Sequence, residues 1–190
     1  MAPSKSSFFL REVGYLPLAY IGGIICFVNI HHTRFFVGYP LTQTFKELPE
    51  LPASSSMHWS QIAVGMWMNG KSTIEGYKIL FLGCNGKYII FDPIKNIWYK
   101  SKVIPTSIRL PLIMNLRSQA ISVDGFLYFM SSYPNGMICY NMLSGIWNHF
   151  LVPILHAIIS GRILVECGGR IMFVCVMIKS HVSICIWEFK

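Results

Sequence analysis

The sequence predicts an all-β fold, a truncated, partial β-propeller of about four blades, because the chain repeats itself. Each of three glycines stands 22 residues before an aromatic residue, and the intervening segments look alike. Each segment holds two apolar runs separated by Asn, Gly, Ser, Pro or His, a pattern typical of strand, turn, strand. A unit of roughly 40–50 residues with several strands has the size of one propeller blade. The three pairs are Gly23 and Phe45, Gly76 and Trp98, and Gly125 and Trp147.

Each unit is predicted to contribute two strands and the beginning of a third. The first unit offers IICFVN and RFFVGY, and the second offers YKILFLG and KYIIFD. The third offers FLYFMSS and MICYN, and the fourth, after Gly169, offers RIMFVCVM and VSICIW. In the first three units a polar tetrad follows (LTQT, IKNI, MLSG), and the recurring aromatic residue then begins the next strand. The fourth aromatic position falls at or beyond the last residue, so we expect the chain to stop within a repeat.

Glycine-containing pairs mark the hairpin turns between these strands. Asp124-Gly125 and Asn85-Gly86 are strong hairpin signals, because the favoured two-residue turns need positive φ. Gly22-Gly23 and Gly168-Gly169 satisfy the same requirement. We therefore predict a tight turn at each of these pairs.

The repeat has a physical reason, since one twisted sheet cannot cover both of its own faces. Blades stacked around an axis cover them, and each blade contacts its neighbours. The recurring aromatic residue is predicted to pack between blades, so Trp98 and Trp147 should be largely buried. A composition that is 53% hydrophobic and only 13% charged favours a large core.

The blades are predicted to occupy residues 21–190, after an N-terminal segment of residues 1–20. An alternative hypothesis is a membrane anchor at Val13 to Ile30, which is 18 residues long without a charge, near the minimum for a membrane span. Pro17, the pair Gly22-Gly23 and the match of its second half to the repeat favour buried strands instead.

The sequence offers no pattern for catalysis, a metal or a cofactor. It contains no GxSxG, P-loop or GxGxxG motif, so we expect no enzyme. No CxxC, HxH or HExxH spacing occurs, and adjacent His31 and His32 would point to opposite faces of a strand. The six cysteines are best explained as buried reduced thiols of a cytoplasmic or nuclear protein.

The net charge of +8 raises the question of a nucleic-acid partner. The basic residues do not cluster, because the densest stretch, Lys95 to Lys102, holds only three. Aromatic residues that could stack on bases are not interleaved with them on one face. We therefore expect a solvated basic surface and no nucleic-acid binding.

Several strings resemble the blade segments of plant F-box/kelch-repeat proteins, and most closely those of the Hawaiian Skirt-like subgroup. They include GGIICFVNIHHTRFFVGYPLTQTFKELPELP, GYKILFLGCNGKYIIFD, LRSQAISVDGFLYFM, YNMLSGIW and LVECGGRIM. The resemblance covers about Gly22 to Phe189. It implies a kelch-type propeller that binds protein targets, as in the substrate receptor of an SCF-type ubiquitin ligase. In such receptors an N-terminal F-box binds a Skp1-type adaptor.

The chain departs from that family in lacking a recognisable F-box before the blades and in holding too few blades for a closed propeller. The resemblance thus implies a target-binding module for a protein of unknown identity, without binding to a Skp1-type adaptor. The alternatives are a free-standing interaction or competitor protein unrelated to ubiquitin, or the membrane-anchored protein. Self-association through open blade edges is a further expectation.

Candidate partner-binding residues lie in the loops between the first two strands of each predicted unit. Loops on a rigid scaffold are where binding usually occurs, and in a propeller these loops gather on one face. The candidates are His31, His32, Thr33, Asn85, Tyr133 and Asn135.

Overall fold

A computed structural model describes the chain in nine stretches, residues 14–29, 34–52, 62–68, 76–99, 102–105, 120–132, 135–151, 158–178 and 181–189. Within these stretches the chain forms antiparallel β-strands in four sheets, and no helix occurs among the described residues. In each sheet the strands pair in the order in which they follow along the chain, except that the short fifth strand of the second sheet pairs with the third strand.

The strand bounds of the four sheets are as follows. The first sheet comprises β1 (Tyr15–Ile21), β2 (Ile24–Asn29), β3 (Arg34–Tyr39) and β4 (Thr44–Glu47). The second comprises β5 (Ile62–Met68), β6 (Tyr77–Gly83), β7 (Lys87–Asp92) and β8 (Ile97–Trp98), with β9 (Lys102–Val103) also paired to β7. The third comprises β10 (Ile121–Val123), β11 (Phe126–Ser132), β12 (Asn135–Asn141) and β13 (Trp147–Leu151). The fourth comprises β14 (Ile158–Cys167), β15 (Arg170–Ile178) and β16 (Val182–Phe189).

The predicted all-β fold with four propeller blades is confirmed, and each sheet is one blade. The first strands of neighbouring sheets lie side by side, because β1 contacts β5, β5 contacts β10, and β10 contacts β14. Such radial repetition, with the first strand of each sheet nearest the axis, is how a β-propeller is built.

The N-terminal part of the first sheet begins earlier than the sequence predicted. β1 starts at Tyr15, whereas the sequence placed the start of the blades at residue 21. A bulge between Pro17 and Ala19 interrupts the pairing of β1 with β2, and this explains why no regular alternation is visible there. Most of the apolar stretch considered as a membrane anchor forms β1 and β2. Over the described ranges we find no helix with the length and apolar character needed to span a bilayer.

The pairing register displays the repeat directly. In each sheet a phenylalanine of the second strand faces a large apolar residue of the third, in the pairs Phe27 with Phe36, Phe81 with Ile89, Phe129 with Ile138, and Phe173 with Trp187. A second cross-strand row starts two residues earlier on the second strand. In three sheets it ends at the recurring aromatic residue on the fourth strand. These rows are Ile25–Gly38–Phe45, Ile79–Phe91–Trp98 and Leu127–Tyr140–Trp147. We call the side that carries both rows the front face of each sheet, and the opposite side the back face.

Three apolar clusters join the sheets, and each is built from the back face of one sheet and the front face of the next. The back face of the first sheet, with Cys26 and Val28, packs on Phe81 and its neighbours in the second. The second and third clusters repeat this arrangement between the second and third sheets and between the third and fourth. The core of the protein is therefore divided among the spaces between sheets.

Trp98 and Trp147 lie between sheets as predicted, but they are half-buried rather than largely buried. The Trp98 ring lies 4.8 Å from the Phe81 ring, tilted by 52°. The Nε1 of Trp98 donates a hydrogen bond of 2.9 Å to the backbone carbonyl of Pro49, just after the first sheet. The Trp147 ring lies 5.3 Å from Tyr88 of the second sheet. Its buried Nε1 has no acceptor among the described residues.

Replacing Trp98 with alanine is expected to lower the free energy of unfolding by about 3–5 kcal/mol, the usual cost of truncating a large core side chain. The change removes both the ring that fills the space between the first two sheets and the hydrogen bond to Pro49. Urea denaturation followed by fluorescence of the remaining tryptophans measures the loss. An unchanged midpoint would show that Trp98 does not hold the two sheets together.

The two tryptophans should also respond differently to phenylalanine. Trp98→Phe loses a hydrogen bond between the second sheet and the segment that follows the first, whereas Trp147→Phe removes a donor without an acceptor in the described part of the chain. We expect Trp98→Phe to cost about 1 kcal/mol more than Trp147→Phe, the net value of one hydrogen bond. Parallel urea titrations of both variants make the comparison, and an equal or reversed order would contradict it.

Candidate functional site

The turns of the four sheets gather at two opposite ends, because successive antiparallel strands run in opposite directions. At the first end the second strand of each sheet stops and the third begins, and we call it the Asn85 end after the turn described there. The other end carries the turns between the first and second strands and between the third and fourth, and we call it the Leu41 end. Gly22 follows the last residue of β1, and Met68 is the last residue of β5. These two residues lie close together, so the first strands of the first two sheets end on the same side.

Of the predicted partner-binding residues, the structure describes Asn85 and Asn135, and both lie at the Asn85 end. Asn85 is exposed in the turn between β6 and β7, but its Oδ1 accepts a hydrogen bond of 3.0 Å from the backbone N–H of Lys87. Its side chain thus stabilises the turn. Asn135 begins β12, and only its backbone is described. His31, His32, Thr33 and Tyr133 lie outside the described residues.

The turn at Asn85 is a hairpin as predicted, but its type differs. Gly86 has a φ of 77°, while Asn85 is absent from the residues with positive φ. The Gly86 N–H donates to the carbonyl of Gly83 at 2.9 Å, which closes a four-residue turn. A type I turn followed by a left-handed glycine has this geometry. At Asp124-Gly125, by contrast, both residues have positive φ, 49° and 79°, as predicted.

The Leu41 end carries a feature that the sequence analysis missed. The tetrads interpreted as polar each include or adjoin a large aliphatic residue, and in all three sheets it stands four positions before the recurring aromatic residue. These side chains are strongly exposed, Leu41 at 97%, Ile94 at 72% and Leu143 at 87%. Their constant spacing of four positions before the aromatic residue could have identified them from the sequence. Exposed aliphatic side chains at the tips of ordered turns are suited to contact another protein.

Side-chain acceptors fix two of these turns in the same way. Asp92 ends β7 and Asn141 ends β12, both six residues before the recurring tryptophan. The Oδ1 of Asp92 accepts hydrogen bonds from the backbone N–H groups of Ile94 and Lys95 at 3.0 and 3.2 Å. The Oδ1 of Asn141 accepts from those of Leu143 and Ser144 at 2.9 and 3.0 Å. Such caps hold the aliphatic tip in a defined position.

The first sheet builds its turn with a hydroxyl instead, since Tyr39 stands at the position of Asp92. The Oγ1 of Thr42 donates to the carbonyl of Tyr39 at 3.4 Å. In all three turns the residue two positions before the aromatic adopts a left-handed conformation, with φ of 55° at Gln43, 53° at Asn96 and 72° at Gly145. The backbone path is therefore shared although the side-chain caps differ.

Asp92 is the buried charge at this end, with 6% of its surface exposed. Its Oδ2 also accepts a hydrogen bond of 2.8 Å from the Tyr99 hydroxyl. Burial raises the pKa of this carboxyl, but the hydrogen bonds from Tyr99, Lys95 and Ile94 outweigh burial and bring the pKa below its ordinary value of 3.8. The ionised form is thus the form that the fold stabilises.

Three buried thiols are held in their protonated form. Burial raises the pKa of Cys26, Cys139 and Cys175, and a protonated thiol is a weak nucleophile. The six cysteines, all of them described, form no disulfide. Among the described residues no three His, Cys, Asp or Glu side chains are grouped closely enough to hold a metal ion.

Asp92→Asn should destabilise the protein at neutral pH and progressively less in acid. The folded pKa of Asp92 lies below its unfolded value of 3.8, so its contribution is fully present above that value and is lost as pH falls through the folded pKa. Urea denaturation of both proteins at about pH 7 and about pH 3 tests this. Asn141→Ala is the control, since it removes the equivalent cap without a titrating group. A pH-independent effect of Asp92→Asn would contradict the assignment.

Comparison with known proteins connects the chain to a plant F-box protein. No family model matches the chain. Over 176 residues it is 43% identical to F-box only protein 6 of Arabidopsis thaliana, a match that covers 92% of this chain and 37% of that protein. The chain thus spans little more than a third of the length of the curated relative it matches. The resemblance to plant F-box proteins expected from the sequence is confirmed at this level.

Among solved structures, the chain is similar to Bacteroides ovatus Xyloglucan PUL GH43B, with a TM-score of 0.47 and 9% sequence identity over 93% of this chain and 39% of that chain. The propeller assignment rests on the order and register of the four sheets and not on this likeness. The protein is therefore a row of four propeller blades similar in sequence to a segment of an F-box protein.

Proposed function

We propose that this chain is the target-recognition module of a substrate receptor in an SCF-type ubiquitin ligase, of the F-box/kelch kind. The observation that carries the proposal is the 43% identity to F-box only protein 6, which extends over 92% of this chain. The chain itself binds a protein target and catalyses no reaction. The transfer of ubiquitin is left to the other components of the ligase.

The Leu41 end is the surface that we assign to the target. It presents an exposed aliphatic side chain from each of three blades, on turns that are fixed by hydrogen bonds. Ordered turns lose little conformational freedom on binding, and apolar tips gain from being covered. The Asn85 end is the alternative surface, and its one described candidate side chain is already engaged in its own turn.

Adaptor binding is not assigned to the four sheets. The F-box of such receptors is a helical segment, and the described residues form strands and turns. The four sheets are therefore assigned to the target, and contact with a Skp1-type adaptor is not assigned to them.

A competition experiment tests target recognition. F-box only protein 6 is used to capture proteins from plant extract, and the purified chain is added as competitor. We expect the chain to displace at least one captured protein, because the two share the segment that holds the target. Failure to displace any of them would overturn the proposal.

Variants then locate the surface on the chain. Changing Leu41, Ile94 and Leu143 together to serine should weaken displacement by about tenfold, roughly the loss of a few half-covered apolar contacts. Val103→Ser is the matched control, because Val103 is 62% exposed on β9, in the same sheet as Ile94 but beside the Asn85 end. Equal displacement by the triple variant and the control would exclude the Leu41 end.

A fusion separates the ubiquitin role from that of a free-standing competitor. The chain is joined to an F-box segment and expressed in plant cells together with a target found by competition. Loss of that target, reversed by a proteasome inhibitor and abolished by the triple serine variant, is the expected result. A target that is bound but never degraded would favour a competitor unrelated to ubiquitin.

A further inference from the structure

Two sheet faces remain without a sheet against them in the described part of the protein. Each internal interface joins a back face to the following front face, so a row of four sheets leaves the front face of the first and the back face of the fourth. Neither of these faces contributes to the three apolar clusters between sheets.

The back face of the fourth sheet is largely aliphatic, exposed along β16 and half-buried along most of β15, with the Arg170–Glu188 ion pair at one end. On β16, Val182, Ile184 and Ile186 expose 68%, 69% and 62% of their surface. They pair with Ile178, Val176 and Val174 on β15, which continue the same face. Single exposed aliphatic residues are common on proteins, but a continuous apolar patch of this kind marks an interaction surface.

In the first two sheets the same face is covered by the sheet that follows. Cys26 and Val28 in the first sheet and Leu80 and Leu82 in the second are all 0% exposed. The side chains of the fourth sheet are of the same chemical kind, but no sheet among the described residues faces them. The surface that fits this face is therefore a front face.

The front face of the first sheet has the composition of such a partner. Phe27 and Phe36 occupy the register positions of Phe81 and Ile89, which are 0% and 1% exposed against the first sheet. In the first sheet both are only half-buried, and Tyr20 on the same face is 72% exposed. The aromatic rings pack on one another instead, with Phe27 at 6.0 Å from Phe45 and Phe36 at 5.5 Å from Tyr15.

We propose that the back face of the fourth sheet of one copy packs against the front face of the first sheet of a second copy. The contact would repeat the pairing of faces that the chain already makes three times within itself. It joins different surfaces on the two copies, and such a contact closes into a ring when the rotation allows. Two copies supply twice the four sheets, and propellers of about 4–8 blades are known. The expected assembly is a closed ring of two chains.

Light scattering coupled to size-exclusion chromatography measures the mass of the purified chain. We expect twice the chain mass of 21.7 kDa. The double variant Ile184→Thr, Ile186→Thr should be monomeric, because threonine keeps the β-branched shape but makes the face polar. Ile94→Thr is the control, an equally exposed isoleucine at a turn on neither face, and it should remain dimeric. A monomeric wild-type chain at about 50 µM would overturn the proposal.

Mixing two variants tests which faces meet. A second double variant, Tyr20→Lys, Ile25→Lys, blocks the front face of the first sheet at two residues that pair across β1 and β2. Each double variant alone should be monomeric, with a circular dichroism spectrum like that of the wild type. An equimolar mixture should form a dimer, because one chain keeps an intact front face and the other an intact back face.

Two results of this mixture would contradict the contact. If fourth sheets pack on each other, the Tyr20→Lys, Ile25→Lys variant dimerises alone. If the folded variants stay monomeric when mixed, front and back faces do not recognise each other. Neither outcome bears on target recognition, because the competition experiment tests the Leu41 end and not the terminal faces.

Discussion

Covering both apolar faces of the inner sheets is the constraint on which this structure depends. β6 shows it most directly, since Ile79 and Phe81 point into the cluster shared with the first sheet, while Leu80 and Leu82 point into the cluster shared with the third. All four are 0% exposed. A sheet that is apolar on both sides is stable only between two others, so the sheets must stand in a row and each must match its neighbours.

Close packing explains two glycines at positions where a larger residue would collide with its surroundings. Gly38 stands where the second sheet has Phe91, and a Cβ at Gly38 would collide with the ring of Phe45. Gly65 lies where the second sheet approaches the third, and a Cβ there would come within 2.8 Å of Leu127. In both places the absence of a side chain allows an aromatic ring or a neighbouring sheet to come close.

Most strand residues pack between sheets and stabilise the fold, so recognition depends on the residues that this packing leaves exposed. Both faces of the inner sheets are covered by neighbouring sheets. The surfaces that remain for partners are therefore the turn ends and the two terminal faces. These differ in character. The turn tips are separate aliphatic side chains on rigid loops, whereas a terminal face is a continuous apolar surface like the one inside the protein.

The sequence by itself determined the second and third strands of each sheet, the hairpin positions and the number of blades, because these depend on residues close together in the chain. The first strand of each sheet (β1, β5, β10 and β14) was not predicted. Gly23, Gly125 and Gly169 adopt the positive φ that their pairs predicted. The tertiary structure alone decided how deeply each residue is buried and what it contacts. Trp98 finds its acceptor 49 residues earlier, in the segment that follows the first sheet, and nothing in its local sequence indicates that bond. A strand that is apolar on both sides likewise carries no alternation to show which face a neighbour will cover, since burial is set by the distant segment that packs there.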